Sequence, residues 1–161
     1  MKINLTHCSI PFLRIIVEES KNKDNIREVL EFNEEAVYKV AARNVYTDKD
    51  TLKCLYEKYG EEVAWALAEN TSTPQEVLHD IALKEYPFGI AKNLIGNEML
   101  AADDIDLLVE EYLEKEEYSY VIAKAIDHDN ISAKTLLKIA DKYPQYIGKI
   151  VNTGRVKLVE K

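Results

Sequence analysis

The sequence predicts an all-α chain, a short stack of helix pairs. Three recurrences predict it: a helix-start pattern that returns after 26 residues, a small residue in each short helix, and a tyrosine near the end of each longer one. Independent features that return at one approximate period are the mark of a repeat architecture. At 161 residues, 47% hydrophobic and 31% charged, the chain has the composition of one soluble globular domain.

Residues 1–33 read as an N-terminal helical cap, with helices Pro11 to Ser20 and Asp24 to Phe32 joined by Lys21-Asn22-Lys23. A terminal unit is expected to close one side of the core with polar residues. Residues 34–150 read as about four helix-pair units. Glu34 to Arg43 is the first short helix; Thr47-Asp48-Lys49-Asp50 caps its partner, which stops at Tyr59-Gly60, glycine being the usual helix terminator. Glu61 to Glu69 opens the next unit. There Thr73 is expected to accept amide hydrogens at the helix start, with Pro74 in the first turn and Glu76 reaching back. Val77, Leu78, Ile81 and Ala82 give that helix one apolar face, and Pro87 is expected to stop it near Tyr86.

The third unit is longer, with an insertion from Leu94 to Leu100 and a second helix from Ala101 to Lys115. Tyr118 to Ile126 and Ser132 to Tyr143 make the fourth, and Tyr143 to Lys149 begins a half-unit. Residues 151–161 read as a C-terminal cap or tail. Ala42, Ala68, Ala91, Ala123 and Gly148 are the small residues, each expected to let a neighbouring helix approach closely. Tyr59, Tyr86, Tyr112 and Tyr143 are the recurring tyrosines. The chain has ten tyrosines against three phenylalanines and one tryptophan, and an aromatic body with a polar tip suits half-buried positions.

Ala68-x-Asn70-x-x-Thr73-Pro74-x-Glu76-x-Leu78-x-x-Ile81-Ala82 resembles the leucine-rich-repeat-variant unit, within the wider HEAT-like group of α-solenoids. The resemblance covers 66–86 best, then 40–59, then 88–150, and does not reach the first 33 residues. It implies a right-handed superhelix of stacked helix pairs and a binding rather than a catalytic role. The iron–sulfur cluster of some members is not implied, because the cysteines for it are missing.

Chemistry-bearing motifs are sparse. Cys8 and Cys54 lack metal spacing and are expected to be buried thiols in a reducing compartment. His7 beside Cys8 reads as N-terminal packing, and His79 as part of a solvated helix face. Asp127-His128-Asp129-Asn130 gathers four potential ligands in one turn, but Asx residues populate such loops for backbone reasons alone. No phosphate-binding, hydrolase or metalloprotease spacing appears, so neither an enzyme nor a cofactor or metal is expected. No apolar run approaches the ~20 residues of a membrane span, so a cytoplasmic protein with no membrane partner is expected.

Charge is the most distinctive feature. With 21 basic and 29 acidic residues the formal charge is −8, which disfavours direct contact with a phosphate backbone. Asp103, Asp106, Glu110, Glu114 and Glu117 form an acidic stripe opposite an apolar one, with Tyr118 and Tyr120 as aromatic anchors nearby. Like charges at helical spacing cost helix stability. A solvated outer face is the plain reading of such a run. That cost, which a purely structural face would more often avoid by mixing signs, points to the other reading, a docking surface for a basic protein partner. The alternative is an acidic mimic of nucleic acid, of phage or mobile-element type, that inhibits a nuclease or DNA-binding protein. A nucleic-acid enzyme would instead need a concave face lined with Lys and Arg.

Overall fold

A computed structural model describes residues 5–84 and 88–157. Among them are eleven α-helices, three single-turn 3-10 helices and no strand. The helices are α1 (Ile10–Glu19), α2 (Lys23–Leu30), α3 (Glu35–Arg43), α4 (Lys49–Tyr59), α5 (Glu61–Glu69), α6 (Gln75–Ala82), α7 (Phe88–Gly96), α8 (Ala102–Tyr112), α9 (Ser119–Asp127), α10 (Ala133–Lys142) and α11 (Ile147–Asn152). Every predicted helix that falls on described residues is present, with ends shifted by a few positions. Tyr86, Pro87 and residues 158–161 lie outside the described residues; α6 itself ends at Ala82. The chain divides into two compact units, Met1–Val77 and Leu78–Lys161, where one undivided domain was expected.

In the first unit α3 lies between α1 and α5 and touches both; α2 packs on α1 and α3, and α4 on α3 and α5. Leu13, Val17, Ile26, Val29, Val37, Leu52, Val63 and Leu67 fill the space between them and are almost wholly buried. Burying side chains of this size is worth roughly 1.5–3 kcal/mol each. Gly60 joins α4 to α5 at φ 50° and ψ −118°, a conformation costly for any residue with a Cβ. Contrary to the expected polar cap, α1 leaves Ile10, Phe12 and Ile15 between 42% and 54% exposed.

Two interhelical turns share one hydrogen-bond pattern. Asn44, which follows α3, donates from Nδ2 to the carbonyls of Val17 (2.6 Å) and Ser20 (2.9 Å) at the end of α1. Asn70, which follows α5, donates likewise to Ala42 (2.8 Å) and Asn44 (3.1 Å). Each asparagine Oδ1 accepts an amide two residues on, from Tyr46 or Ser72. One side chain thereby closes its own turn and satisfies orphan carbonyls at the end of the helix two elements earlier, α1 for Asn44 and α3 for Asn70. Thr47 and Thr73 are buried, and their hydroxyls donate back to Ala41 (2.7 Å) and Leu67 (2.8 Å). The sequence assigned these threonines to the helix starts. They instead tie each turn to the helix before it, and α4 is capped by Asp48, which accepts from Thr51 N–H.

In the second unit α7 packs on α9, α8 on α7 and α9, and α10 on α11. Its core includes Leu94, Ile95, Ile105, Val109, Ile122, Ile126, Leu136 and Ile139. The turn chemistry persists with different residues. After α9, His128 donates from Nε2 to the Asn97 carbonyl (2.9 Å) and accepts the Asn130 amide at Nδ1 (3.1 Å). After α11, Arg155 donates to the His128 carbonyl at 3.0 Å. The small-residue register does not persist. Ala42 and Ala68 sit two positions before their turn asparagines; the same place before Asn97 and His128 holds Ile95 and Ile126, both buried. Ala91 and Ala123 lie one helical turn earlier, and a Cβ on Gly148 would meet nothing within 4 Å.

Candidate functional site

The acidic stripe lies on α8 and the turn after it. Asp106, Glu110 and Glu114 are four residues apart, one helical turn each, and so share a face. That face meets α10. Asp106 accepts hydrogen bonds from the hydroxyls of Ser132 (3.3 Å) and Thr135, Glu110 pairs with Lys138, and Glu114 with Lys142. The hydrogen bond from Lys138 holds the Glu110 carboxyl below the usual range, and the one that Lys142 donates to Glu114 raises the Lys142 ammonium. Most of the stripe is therefore matched by a basic and hydroxyl stripe spaced the same way on its neighbour. Such exposed pairs contribute little to stability, yet they neutralise much of the surface.

Asp103 and Glu117 stand apart from this seam and are exposed. Tyr118 is half-buried and stacks on Tyr112, ring centroids 4.5 Å apart, so it serves as packing. Tyr120 is 42% exposed, with the Lys92 ammonium 5.3 Å from its ring centre. Of the predicted site residues, Asp106, Glu110 and Glu114 come together, facing α10, while Asp103, Glu117 and Tyr120 keep solvent-facing groups.

The tyrosines elsewhere vary in burial: Tyr38 and Tyr56 are buried, Tyr59 and Tyr143 half-buried as expected, and Tyr46 exposed. Tyr38 and Tyr59 stack at 3.6 Å. Tyr38 donates to Glu62 (2.5 Å) and Tyr59 to Asn33 (2.6 Å). The bond to Glu62 pushes the Tyr38 phenol well above its ordinary range. Tyr143 donates to the Leu113 carbonyl at 2.7 Å.

Two expectations about reactive side chains change. Cys54 is exposed and Cys8 half-buried; Cys54 sits on the edge of α4 beside Thr51 and Lys58, off the core stripe of Leu52, Leu55 and Tyr56. His79 is not a merely solvated residue: its Nδ1 lies 2.6 Å from a carboxylate oxygen of Asp104, whose side chain is 3% exposed. That hydrogen bond raises the imidazole pKa. His128 has both ring nitrogens engaged by backbone groups, so its turn reads as scaffold.

Sequence reading missed a basic furrow on the first unit, where Arg14, Lys39 and Arg43 come from two helices and meet Trp65 from a third. The only signal for it was one exposed-looking aromatic among the alanines of α5. No family model, curated protein or solved structure matches this chain.

Proposed function

We propose that the chain is a short HEAT-like α-solenoid that binds another protein and performs no catalysis. The observation that carries this reading is the repeated turn contact. Asn44, Asn70, His128 and Arg155 each reach a carbonyl at the end of the helix 24 to 31 residues earlier. A contact repeated this way supports stacking of equivalent helix pairs, and stacked pairs make extended surfaces rather than enclosed pockets. Among the described residues, no cluster of His, Cys, Asp and Glu is placed to hold a metal, and no helix is long and apolar enough to cross a membrane. A cytoplasmic site of action belongs to the same proposal, where the exposed Cys54 thiol would stay reduced.

The acidic, tyrosine-bearing edge contributes through Asp103, Glu117 and Tyr120, since α10 engages Asp106, Glu110 and Glu114. That pairing gives the nucleic-acid mimic less support than the protein-binding reading, because Lys138 and Lys142 interrupt the row of negative charge. The test places a photo-crosslinking residue at Val45, Tyr120 or Leu137, each exposed, in cells that express the chain. Capture of one defined protein from at least one position is expected. Recovery of nothing above background from all three would sink the reading.

A further inference from the structure

We infer that the furrow across α1, α3 and α5 is a binding site for a partner's peptide segment that carries carboxylates and an apolar side chain. The inference rests on the protein-binding reading above and names the surface and the partner chemistry.

The furrow arises because α3 touches α1 on one side and α5 on the other, leaving a depression of about 340 Å³ lined by Arg14, Lys39, Val40, Arg43 and Trp65. A second depression, of about 510 Å³, shares Arg43 and Trp65 and continues to Val45. Together they make one trough centred on Arg43 and Trp65, with Arg14 and Lys39 to one side and Val45, Glu69 and Asn70 to the other.

The arginines decide what the trough fits. The chain has four. Arg27 and Arg155 hold Asp48 and Asp129. Arg14 and Arg43 line the trough, and among the described residues neither has a carboxylate within ion-pair range. That is unusual in a chain of net charge −8, where acidic neighbours are abundant. Glu62, which lines the trough beside Arg14 and Arg43, accepts the Tyr38 hydroxyl at 2.5 Å, and Lys39 is held by Glu35. Arg43 lies over Trp65, 4.6 Å from the ring centre. A guanidinium held over an aromatic ring keeps N–H groups for a bidentate acceptor.

Trp65 itself is 43% exposed while Ala64, Ala66, Leu67 and Ala68 around it are buried. A large indole held at the surface between alanines is the usual form of an interface anchor. Carboxylates are the complement of the two guanidiniums, and an apolar side chain is the complement of Trp65 and Val45. A phosphate backbone fits less well, because Glu62 and Glu69 also line the trough and would face its continuous negative charge. A peptide can set its carboxylates at the arginines and neutral groups beside the glutamates.

Trp65 is the chain's one tryptophan, so its fluorescence reports on the trough alone. The full chain is titrated with a terminally blocked hexapeptide of alternating Glu and Leu. The same peptide with Lys for Glu, and an oligothymidylate of matched charge, serve as controls. The Glu–Leu peptide should give a saturable shift in Trp65 emission. Arg14→Gln and Arg43→Gln should each weaken it about tenfold with unchanged far-ultraviolet circular dichroism. Arg43→Lys, which keeps the charge and loses the fork, should also weaken it. No saturable response, an equal response to the Lys–Leu peptide, tighter binding of the oligothymidylate, or full binding by the folded arginine variants would each overturn the inference. If the Arg14→Gln/Arg43→Gln protein still captures the crosslinked partner, this surface is wrong and the protein-binding reading stands. If the peptide binds but crosslinking recovers no protein, the trough stands and the wider reading falls.

Discussion

His128 holds the carbonyl of Asn97 through a ring nitrogen at 2.9 Å, in the place where Asn70 holds Asn44 through an amide at 3.1 Å. The two side chains look unlike, but both present a donor and an acceptor about two bonds apart. Nδ1 of His128 accepts the Asn130 amide as Oδ1 of Asn70 accepts that of Ser72. Only the Nε2–H tautomer satisfies both contacts. His128→Asn is therefore expected to fold with at most a small loss, set by the smaller side chain. His128→Ala should lose about 1–3 kcal/mol, because a buried carbonyl and a turn amide lose their partner together. Urea unfolding of the three proteins checks this; equal loss in both variants would mean that ring packing, not hydrogen bonding, holds the turn.

Acid should loosen the seam between α2 and α4 through Asp48. Partial burial pushes the Asp48 carboxyl up, but hydrogen bonds from Arg27 and Thr51 outweigh this and hold it at about 2, below its ordinary 3.8. A carboxyl with a lowered pKa in the folded state binds fewer protons there than when unfolded. Its contribution is therefore present above about pH 4 and is lost as the pH falls toward about 2. The wild-type denaturation midpoint should drop through that window more steeply than that of Asp48→Asn, and the two curves should converge at its lower end. Parallel curves would show that Arg27 and Asp48 are coupled only weakly in solution.

How far the sequence disclosed these relationships depended on whether the determinants were local. Helix positions were legible because apolar spacing and the Gly60 stop act within one or two neighbouring helices. The role of Thr73 was not, because a threonine before a helix reads as a cap whichever way its hydroxyl points; only the position of the Leu67 carbonyl reveals a donor. The acidic stripe on α8 was visible, while its match to Thr135, Lys138 and Lys142 was hidden in the register between two helices some 28 residues apart. Arg14, Arg43 and Trp65 lie on three helices, and no spacing in the chain relates them.

His79 and Asp104 make a second, opposite pH dependence. Asp104 raises the imidazole pKa through their hydrogen bond, with smaller help from Asp80 and Asp103 and against some desolvation. A base whose pKa is higher in the folded state contributes fully below its unfolded value of about 6.5 and stops contributing as the pH rises through the folded value. Proton NMR should place His79 above that unfolded value, and Asp104→Asn should bring it back down. The wild-type urea midpoint should fall across the same interval, while that of His79→Gln stays flat. His79→Ala leaves a buried carboxylate without its imidazole and should cost about 1–3 kcal/mol at neutral pH.

The α8–α10 seam supplies the prediction closest to function. Glu110 and Glu114 are 57% and 71% exposed at the side chain, and their lysines 37% and 42%, so each pair is open to competition from solvent or from another protein. Glu110→Gln alone should leave the urea midpoint unchanged within error, as isolated surface pairs usually do. Lys138→Glu with Lys142→Glu brings like charges together along the whole seam and should lower the midpoint, and adding Glu110→Lys with Glu114→Lys should restore it. A basic partner that docks on α8 must first displace Lys138 and Lys142. Lys138→Gln with Lys142→Gln should then strengthen capture, since the carboxylates are already released. Asp103→Lys with Glu117→Lys should weaken capture without touching the seam. If neither change alters partner binding, α8 acts only as scaffold, and the partner surface lies elsewhere on the chain.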